Sequence, residues 1–259
     1  MNDIAENALE RALRLAATEP AQRPEFYKTL LDSTIYVIGE IQGDHAEGAR
    51  TVGEGEQMLL QSWTRPDGSQ VLPFFSSEEV LQRSIDSQCR ILGFTARALF
   101  EMTQGATLVL NPKSDHGKEF LPNEIAALLS GGVNQLPQRR VTPAQTQVLL
   151  GQPKVYPDAM VASLSKFLAT RKSVKAAYLA LMHDVSVDEK AHLIVGIQAD
   201  GDVELLFREV GAVATDTAPG GQSVDLVRVV PGEGGLSEHF LKSVKPFYKR
   251  GWMSSLFSS

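Results

Sequence analysis

The most constraining feature of the sequence is a strand that turns into a helix within a few residues. Residues 71–75 are apolar and aromatic, as β-strands prefer. Ser76 is a candidate N-cap, and Glu79 stands three residues later, where it would complete a capping box. Phe75 and Val80 have the spacing of a hydrophobic staple around that cap. The junction predicts architecture clearly, but it contains no nucleophile with a base, no metal ligands and no phosphate-binding loop.

Helices and strands alternate through the first half of the chain, as in an α/β or α+β fold. Asp3 and Glu6 predict a capping box for the first helix. Its apolar face is predicted to comprise Ile4, Ala8, Ala12 and Leu15. Pro24 suits the start of a second helix. We expect that helix to bury Phe26, Tyr27, Leu30 and Leu31. Strands are predicted at 34–38, 58–64, 70–75 and 107–110, and the glycine-rich and acidic stretch 39–56 predicts a long loop.

The chain is predicted to contain two domains, residues 1–132 and residues 145–259. Between them, about residues 133–144, glycine and proline indicate a linker. The second half predicts the order β-α-β-β-α-β, which is typical of a ferredoxin-like sandwich. The predicted fold class is therefore α+β, with an N-terminal mixed-sheet α/β domain followed by that sandwich.

Composition excludes several classes of function. The net charge of −6 and the pI near 5.4 argue against a nucleic-acid-binding protein. No apolar run approaches the roughly 20 residues that span a bilayer, so we expect no integral membrane association. Cys89 is the single cysteine, which excludes an internal disulfide and fits a reducing compartment. A cytoplasmic location is therefore expected. No pattern calls for a cofactor or a metal.

Several segments resemble the SseB family, the bacterial "enhanced serine sensitivity" proteins. In the first half these are residues 71–79, Val-Leu-Pro-Phe-Phe-Ser-Ser-Glu-Glu, and residues 108–112, Leu-Val-Leu-Asn-Pro. In the second half they are 150–153, 176–180 and 246–250. The resemblance implies an N-terminal and a C-terminal SseB domain in a bacterial cytosolic protein. It carries over no catalytic residue, and it suggests serine metabolism only through the family name.

A polar loop after the predicted strand 107–110 is the best candidate for binding a small molecule. Its candidate ligand-binding residues are Asn111, Lys113, Ser114, Asp115 and His116. Ligands of α/β sheets usually bind at the carboxyl ends of strands, and the 39–56 loop could approach as a lid. The alternative is a solvated connection rich in turn-forming residues.

The C-terminal segment is unusually aromatic and locally basic for an acidic protein. The candidate partner-binding residues are Phe247, Tyr248, Arg250, Trp252, Met253, Leu256 and Phe257. Tryptophan, tyrosine, methionine and arginine are enriched at the centres of interfaces. Three interpretations stay open: the segment completes the second core, it contacts a protein partner or a second copy, or it touches an anionic membrane surface.

Other reactive patterns have simpler explanations. Cys89 lies in or beside a predicted strand, where cysteine is usually a small buried hydrophobe. Ser163 and Lys166 match a serine–lysine pattern by chance within an amphipathic helix. The glycine-rich loop 230–235 carries Glu233 and predicts a turn. The leading hypothesis is thus a non-catalytic adaptor or regulatory protein. The alternative is an amino-acid sensor that uses the 111–116 loop, and an enzyme of unknown class is the least supported.

Overall fold

The computed structural model describes residues 6–41, 58–85, 88–130, 148–184, 191–222 and 224–251. These residues divide into two compact units. The first contains the described residues of 1–18 and 25–131, and the second contains those of 19–24 and 132–259. From residue 42 onward, the predicted loop 39–56 lies outside the described residues.

The first unit combines helices with two sheets. Its helices are α1 (Ala8–Thr18), α2 (Arg23–Asp32), α3 (Glu78–Ser84), α4 (Ala96–Met102) and α5 (Pro122–Leu129). Its strands are β1 (Thr34–Ile41), β2 (Met58–Leu60), β3 (Trp63–Thr64), β4 (Gln70–Phe74), β5 (Ile91–Thr95), β6 (Leu108–Leu110) and β7 (Lys118–Phe120).

The two sheets of the first unit have different topologies. One is antiparallel, in the order β2-β1-β5. The other has the order β3-β4-β6-β7, and its central pair β4 and β6 is parallel. Tyr36 and Phe75 join the sheets, because each backbone N–H donates to the other's carbonyl, at 2.9 and 2.8 Å. The predicted strand 58–64 is therefore divided: β2 pairs with β1, and β3 pairs with β4.

Aromatic packing fills the core of the first unit. The rings of Phe74, Phe100 and Phe120 are fully buried, and their centroids lie 5.4 to 5.9 Å apart. Such edge-on and tilted ring pairs stabilise a core beyond the burial of their area. α2 buries the four predicted residues, Phe26, Tyr27, Leu30 and Leu31.

Two predicted helix starts are wrong in register. Asn7 caps α1: its Oδ1 accepts from the Glu10 N–H at 2.8 Å, and Glu10 Oε2 accepts from the Asn7 N–H at 3.1 Å. This capping box lies four residues after the predicted one, and the buried face shifts with it to Leu9, Leu13 and Ala16. At α3 the cap is Ser77, whose Oγ accepts from the Val80 N–H at 3.3 Å. Ser76 does not cap the helix, because its hydroxyl binds Glu10 and Asn111.

The second unit is a mixed five-stranded sheet with helices on both faces. Its strands are β8 (Val148–Gly151), β9 (Val174–Asp184), β10 (His192–Ala199), β11 (Val224–Arg228) and β12 (Tyr248–Lys249). Its helices are α6 (Asp158–Ala169), α7 (Glu204–Thr217) and α8 (Leu236–Ser243). Residues of α6 and α7 pack with one face of the sheet, and Phe240 of α8 packs with the other. The predicted α+β class is confirmed.

The predicted ferredoxin-like detail is not confirmed. The order β-α-β-β-α-β is present from β8 to β11, but the strands lie in the order β11-β10-β9, with both β8 and β12 on the far side of β9. A ferredoxin-like sandwich places its first strand between the third and the fourth. Here β10 and β11 are direct parallel neighbours, so no strand can enter between them.

Candidate functional site

The carboxyl ends of β4 and β6 bring the two first-half segments that resemble the SseB family together. The parallel register pairs Leu72 with Leu108 and Phe74 with Leu110. Ser76 and Asn111, which follow the two strands, are therefore neighbours. Ends of parallel strands are the usual place for ligands in open α/β sheets. This edge is thus the natural place to look for a site in the first unit.

Asn111 binds Ser76 through both ends of its side-chain amide. Its Oδ1 accepts from the Ser76 backbone N–H at 2.9 Å, and its Nδ2 donates to Ser76 Oγ at 2.9 Å. Both residues are buried, and Asn111 has a φ of +48°, in the left-handed region that asparagine tolerates. The asparagine therefore accepts a hydrogen bond from the Ser76 backbone N–H, as a neighbouring strand would, and also binds the Ser76 hydroxyl.

α1 closes the same network from the other side. Glu10 Oε1 accepts from the hydroxyls of Ser76 and Ser77, at 2.8 and 3.0 Å. Asn7 Nδ2 donates to the Ser76 carbonyl at 3.0 Å. The Ser76 hydroxyl thus faces a carboxylate, but it is buried and also accepts from Asn111, so it is not presented to a substrate. The network holds α1, α3 and two strand ends together.

The other side chains of the 111–116 loop either contact the rest of the first unit or face solvent. Lys113 Nζ donates to the Ser84 carbonyl at 2.8 Å and lies 5.4 Å from the centre of the Trp63 ring. Ser114 and Asp115 are exposed, and His116 is half-buried. A Cβ on Gly117 would stand 2.9 Å from the Asn111 carbonyl oxygen, so glycine allows the loop to close. Among the five predicted ligand residues, Asn111 uses its side-chain amide in hydrogen bonds within the protein.

His116 lies near the start of α1. The pKa of Glu6 is lowered first by its hydrogen bond from Arg14, and the charges of Arg14, Arg11 and His116 act in the same direction. Arg14 Nε and Nη2 donate to the two Glu6 oxygens at 2.9 and 3.0 Å. Sequence reasoning missed the contribution of α1 to this edge. The sequence contains one signal of this contribution. Ser76 and Ser77 are both typical N-cap residues, and α3 needs only one of them as its cap.

Other chemically interesting groups lie apart from this edge. Cys89 packs beside Phe75 and Leu81, and burial raises the pKa of its thiol. In the second unit His192 Nε2 lies 2.9 Å from Asp225 Oδ2, a pair that sequence spacing did not reveal because the residues lie on different strands. Within the described residues, no group of three or more His, Cys, Asp or Glu side chains could hold a metal ion. None of the helices described is long and apolar enough to cross a membrane.

The C-terminal segment begins as part of the second core. Tyr248 is buried in β12, and the Phe247 N–H donates to the Ala177 carbonyl at 2.9 Å. Arg250 Nε donates to the Val174 carbonyl at 2.8 Å, and its Nη2 donates to the Arg171 carbonyl. The structure therefore ties the first part of the segment to β9. The remaining candidate partner-binding residues, Trp252, Met253, Leu256 and Phe257, lie outside the described residues.

The edge strand β8 and the loop after it expose large apolar side chains. Leu149 is 61% exposed, Val155 is 81% exposed and Tyr156 is 42% exposed. β8 pairs with β9 on one side, and no strand of the described ranges pairs with its other side. We call the outer backbone of β8 together with these three side chains the β8 edge. Among the strands that the structure describes, none takes up the outer hydrogen-bonding groups of β8.

Comparison with known proteins agrees with the two-part organisation. The family model described as "SseB protein N-terminal domain" matches residues 9–127, and "SseB protein C-terminal domain" matches residues 142–250. Protein SseB of Escherichia coli (strain K12) and Protein SseB of Shigella flexneri are each 39% identical over 246 residues, 95% of this chain and 93% of theirs. No solved structure matches the chain at a significant level. The chain belongs to the SseB family.

Proposed function

We propose that the protein is a non-catalytic binding protein of adaptor or regulatory type, and that the β8 edge is its binding surface. The observation that carries this proposal is the exposure of Leu149, Val155 and Tyr156 beside an open strand edge. Contiguous exposed apolar patches are typical of interaction sites, and these three residues lie within eight positions of one another in the sequence. An added strand from a partner would gain backbone hydrogen bonds, and the side chains would supply specificity.

The sequence of β8 itself, Val-Leu-Leu-Gly, supports this proposal because it contains neither a charged residue nor a proline. Residues 141–153 contain no charged side chain. Natural edge strands are usually shielded by lysine or other charges, by proline, or by being short. Pro153 and the exposed Lys154 follow β8, so the unprotected edge is limited to the four residues of the strand. Such an edge suits a short extended segment of a partner protein.

The wider setting is part of the same proposal. We place the protein in the bacterial cytoplasm, with domains at 1–132 and 145–259. The named relatives come from bacteria, and a single cysteine suits a reducing compartment. The C-terminal segment with Trp252, Met253, Leu256 and Phe257 is the second proposed contact element. The link to serine metabolism rests on the family name.

The test is co-purification from cells that express the tagged protein at its native level. Leu149→Lys places a charge on the β8 edge, and Leu205→Lys is the matched control, since Leu205 is 64% exposed on α7. We expect a stoichiometric partner, or a second copy, that is lost with Leu149→Lys and kept with Leu205→Lys. A partner retained by Leu149→Lys would overturn the assignment of this surface, and the absence of any partner would overturn the binding function.

The alternative proposal is an amino-acid sensor that uses the 111–116 loop. It is favoured by the position of the loop at the carboxyl end of β6, beside the parallel strand β4. Thermal shift with an amino-acid panel tests it, because a ligand at 100 times its Kd stabilises by about 2.7 kcal/mol. A shift that Ser114→Ala with His116→Ala abolishes would support the sensor. An unchanged melting temperature across the panel would reject it.

A further inference from the structure

We propose that the surface between α6 and α7 is a further binding site, which residues 19–24 occupy as a releasable strap and which accepts a segment of the same chemistry from another protein. The strap belongs to the second unit. Its central 3₁₀ turn, Pro20–Gln22, contacts both α6 and α7. We call the surface that the turn contacts the α6–α7 groove. Other residues form the β8 edge, so the two proposals are independent.

Side chains hold the central part of the strap in the groove. The Gln22 N–H donates to the Glu19 carbonyl at 2.9 Å, which is a bond within the strap itself. Within the described residues, no backbone hydrogen bond joins residues 19–22 to α6 or α7. Ala21 packs against the apolar core that α6 and α7 share. Residues 19–22 therefore give up only side-chain contacts when they leave the groove.

Two ion pairs of opposite direction flank Ala21. Arg23 Nη1 lies 2.6 Å from Asp216 Oδ2, and Lys166 Nζ lies 3.6 Å from Glu19 Oε1. The Arg23 and Asp216 side chains are 31% and 18% exposed, against 64% and 43% for Lys166 and Glu19. Because salt screens exposed pairs most strongly, the Arg23–Asp216 pair is the main charged contact. The groove thus selects a segment with an acid at one end and an arginine at the other.

The helices on either side of the strap are fixed by contacts that do not involve the groove. Glu10 of α1 accepts from the hydroxyls of Ser76 and Ser77, and α2 buries Phe26 and Leu30. Release of the strap therefore leaves these contacts intact. Exchange of straps between two copies would have to carry both attached helices to the groove of the second copy. A segment of another protein has no such attachment and is the simpler occupant.

The strap defines the chemistry of the segment that fits. It reads Glu-Pro-Ala-Gln-Arg-Pro, so Ala21 stands two positions after the acid and two before the arginine. The two prolines fix their own backbone φ, which lowers the entropy lost when such a segment is ordered. We expect the partner segment to present an acid, a small apolar residue and an arginine at the same spacing. Reversed charges would meet like charges and be rejected.

Peptide binding to two charge-reversed variants of the full chain is the test. Arg23→Glu releases the strap and leaves the groove unchanged, whereas Asp216→Arg releases the strap and reverses the charge of the groove. In fluorescence anisotropy, a labelled peptide of residues 17–25 should bind Arg23→Glu at least tenfold more tightly than the original chain, whose own strap competes. The same peptide carrying Arg23→Glu should instead prefer the Asp216→Arg chain by at least tenfold.

Glu238→Arg is the matched control, because it reverses an exposed acid on α8, on the other face of the sheet. It should bind both peptides as the original chain does. A loss of folding cannot imitate the expected result, since the two variants must prefer opposite peptides. If neither peptide binds, or if the preference does not reverse, the proposal is wrong.

Hydrogen exchange provides a second measurement that needs no peptide. Exchange in α6 and α7 should be faster in Arg23→Glu and should return to its original rate when Asp216→Arg is added, because the pair is then restored with its charges swapped. Equal exchange in all three chains would show that this pair does not hold the strap, and would overturn the proposal. A dimer of the full chain that Arg23→Glu abolishes would assign the groove to a second copy and contradict the assignment to another protein.

Discussion

Asn111 shows how one residue can replace a piece of a strand. Ser76 lies beyond the last paired residue of β4, and the Asn111 amide satisfies both its N–H and its hydroxyl. A buried polar group that loses its partner costs about 1–3 kcal/mol. The left-handed φ of Asn111 explains why asparagine suits this position, since most other side chains are strained there.

We predict that Asn111→Gly lowers the free energy of unfolding of the first unit by about 1–3 kcal/mol. Glycine keeps the positive φ without strain, so the loss combines the two hydrogen bonds to Ser76 with the greater backbone entropy of glycine in the unfolded chain. The measurement is urea unfolding in a chain without residues 252–259, where Trp63 is the only tryptophan. Ser114→Ala, at an exposed position, is the control. A change within about 0.5 kcal/mol for Asn111→Gly would contradict the structural role.

We predict that Cys89 reacts slowly with iodoacetamide at neutral pH. Burial raises the pKa of its thiol, so a smaller fraction is thiolate than in a free cysteine, and only the thiolate attacks. The rate should rise as the pH passes above the ordinary thiol value of about 8.5. Mass spectrometry follows the alkylation, with the urea-unfolded protein as the control. Equal rates in the folded and unfolded chains would show that Cys89 is not shielded.

At the scale of elements, β9 organises the second unit. β10 pairs along one side of it, and β8 and β12 share the other side at its two ends. α8 lies against the face that carries Tyr178, Ile194 and Val229. Its close approach depends on Gly196 of β10, where an added Cβ would lie 2.8 Å from Val229 Cγ2 and 2.9 Å from Phe240 Cδ2.

We predict that Gly196→Ala destabilises the second unit by about 1–3 kcal/mol, because overpacking forces Phe240 and α8 outward. Hydrogen exchange followed by mass spectrometry should show faster exchange in β10 and α8. Gly234→Ala is the matched control, since a Cβ there meets no atom within 4 Å. Equal protection in both variants would show that the sheet and helix tolerate the added methyl group.

At the scale of the whole molecule, the boundary between the units does not follow the chain in a simple way. Residues 19–24, which follow α1 and include the first two residues of α2, belong to the second unit. Arg23 Nη1 lies 2.6 Å from Asp216 Oδ2, and Ala21 packs against the core that includes Leu164 and Val210. A segment from the first fifth of the sequence therefore completes the second unit.

We predict that Ala21→Arg weakens the second unit selectively. The arginine cannot stay in the apolar contact without desolvating its charge. Hydrogen exchange in β10 should accelerate about tenfold, which corresponds to about 1.4 kcal/mol, while β6 keeps its protection. Thr18→Arg, at an exposed position of α1, is the control. Acceleration in β6 and not in β10 would contradict the assignment of residues 19–24 to the second unit.

The local elements and the family can be predicted from the amino-acid sequence. The strand-to-helix junction, the buried side of α2 and the SseB motifs depend on neighbouring residues and on the period of the apolar pattern, which are written directly in the chain. The helix caps were displaced by one or four positions because several cap-type residues stand in a row, and only packing selects among them.

Which distant residues meet depends on the tertiary fold and cannot be predicted from local patterns. Three contacts join separate elements: the hydrogen bond between Ser76 and Asn111, the bonds from both serines to the Glu10 carboxylate, and the His192–Asp225 pair. The order of β8, β9 and β12 and the passage of residues 19–24 to the second unit have the same origin. These arrangements follow from long-range burial and from the need to satisfy buried backbone groups, neither of which has a period or a spacing that a sequence displays.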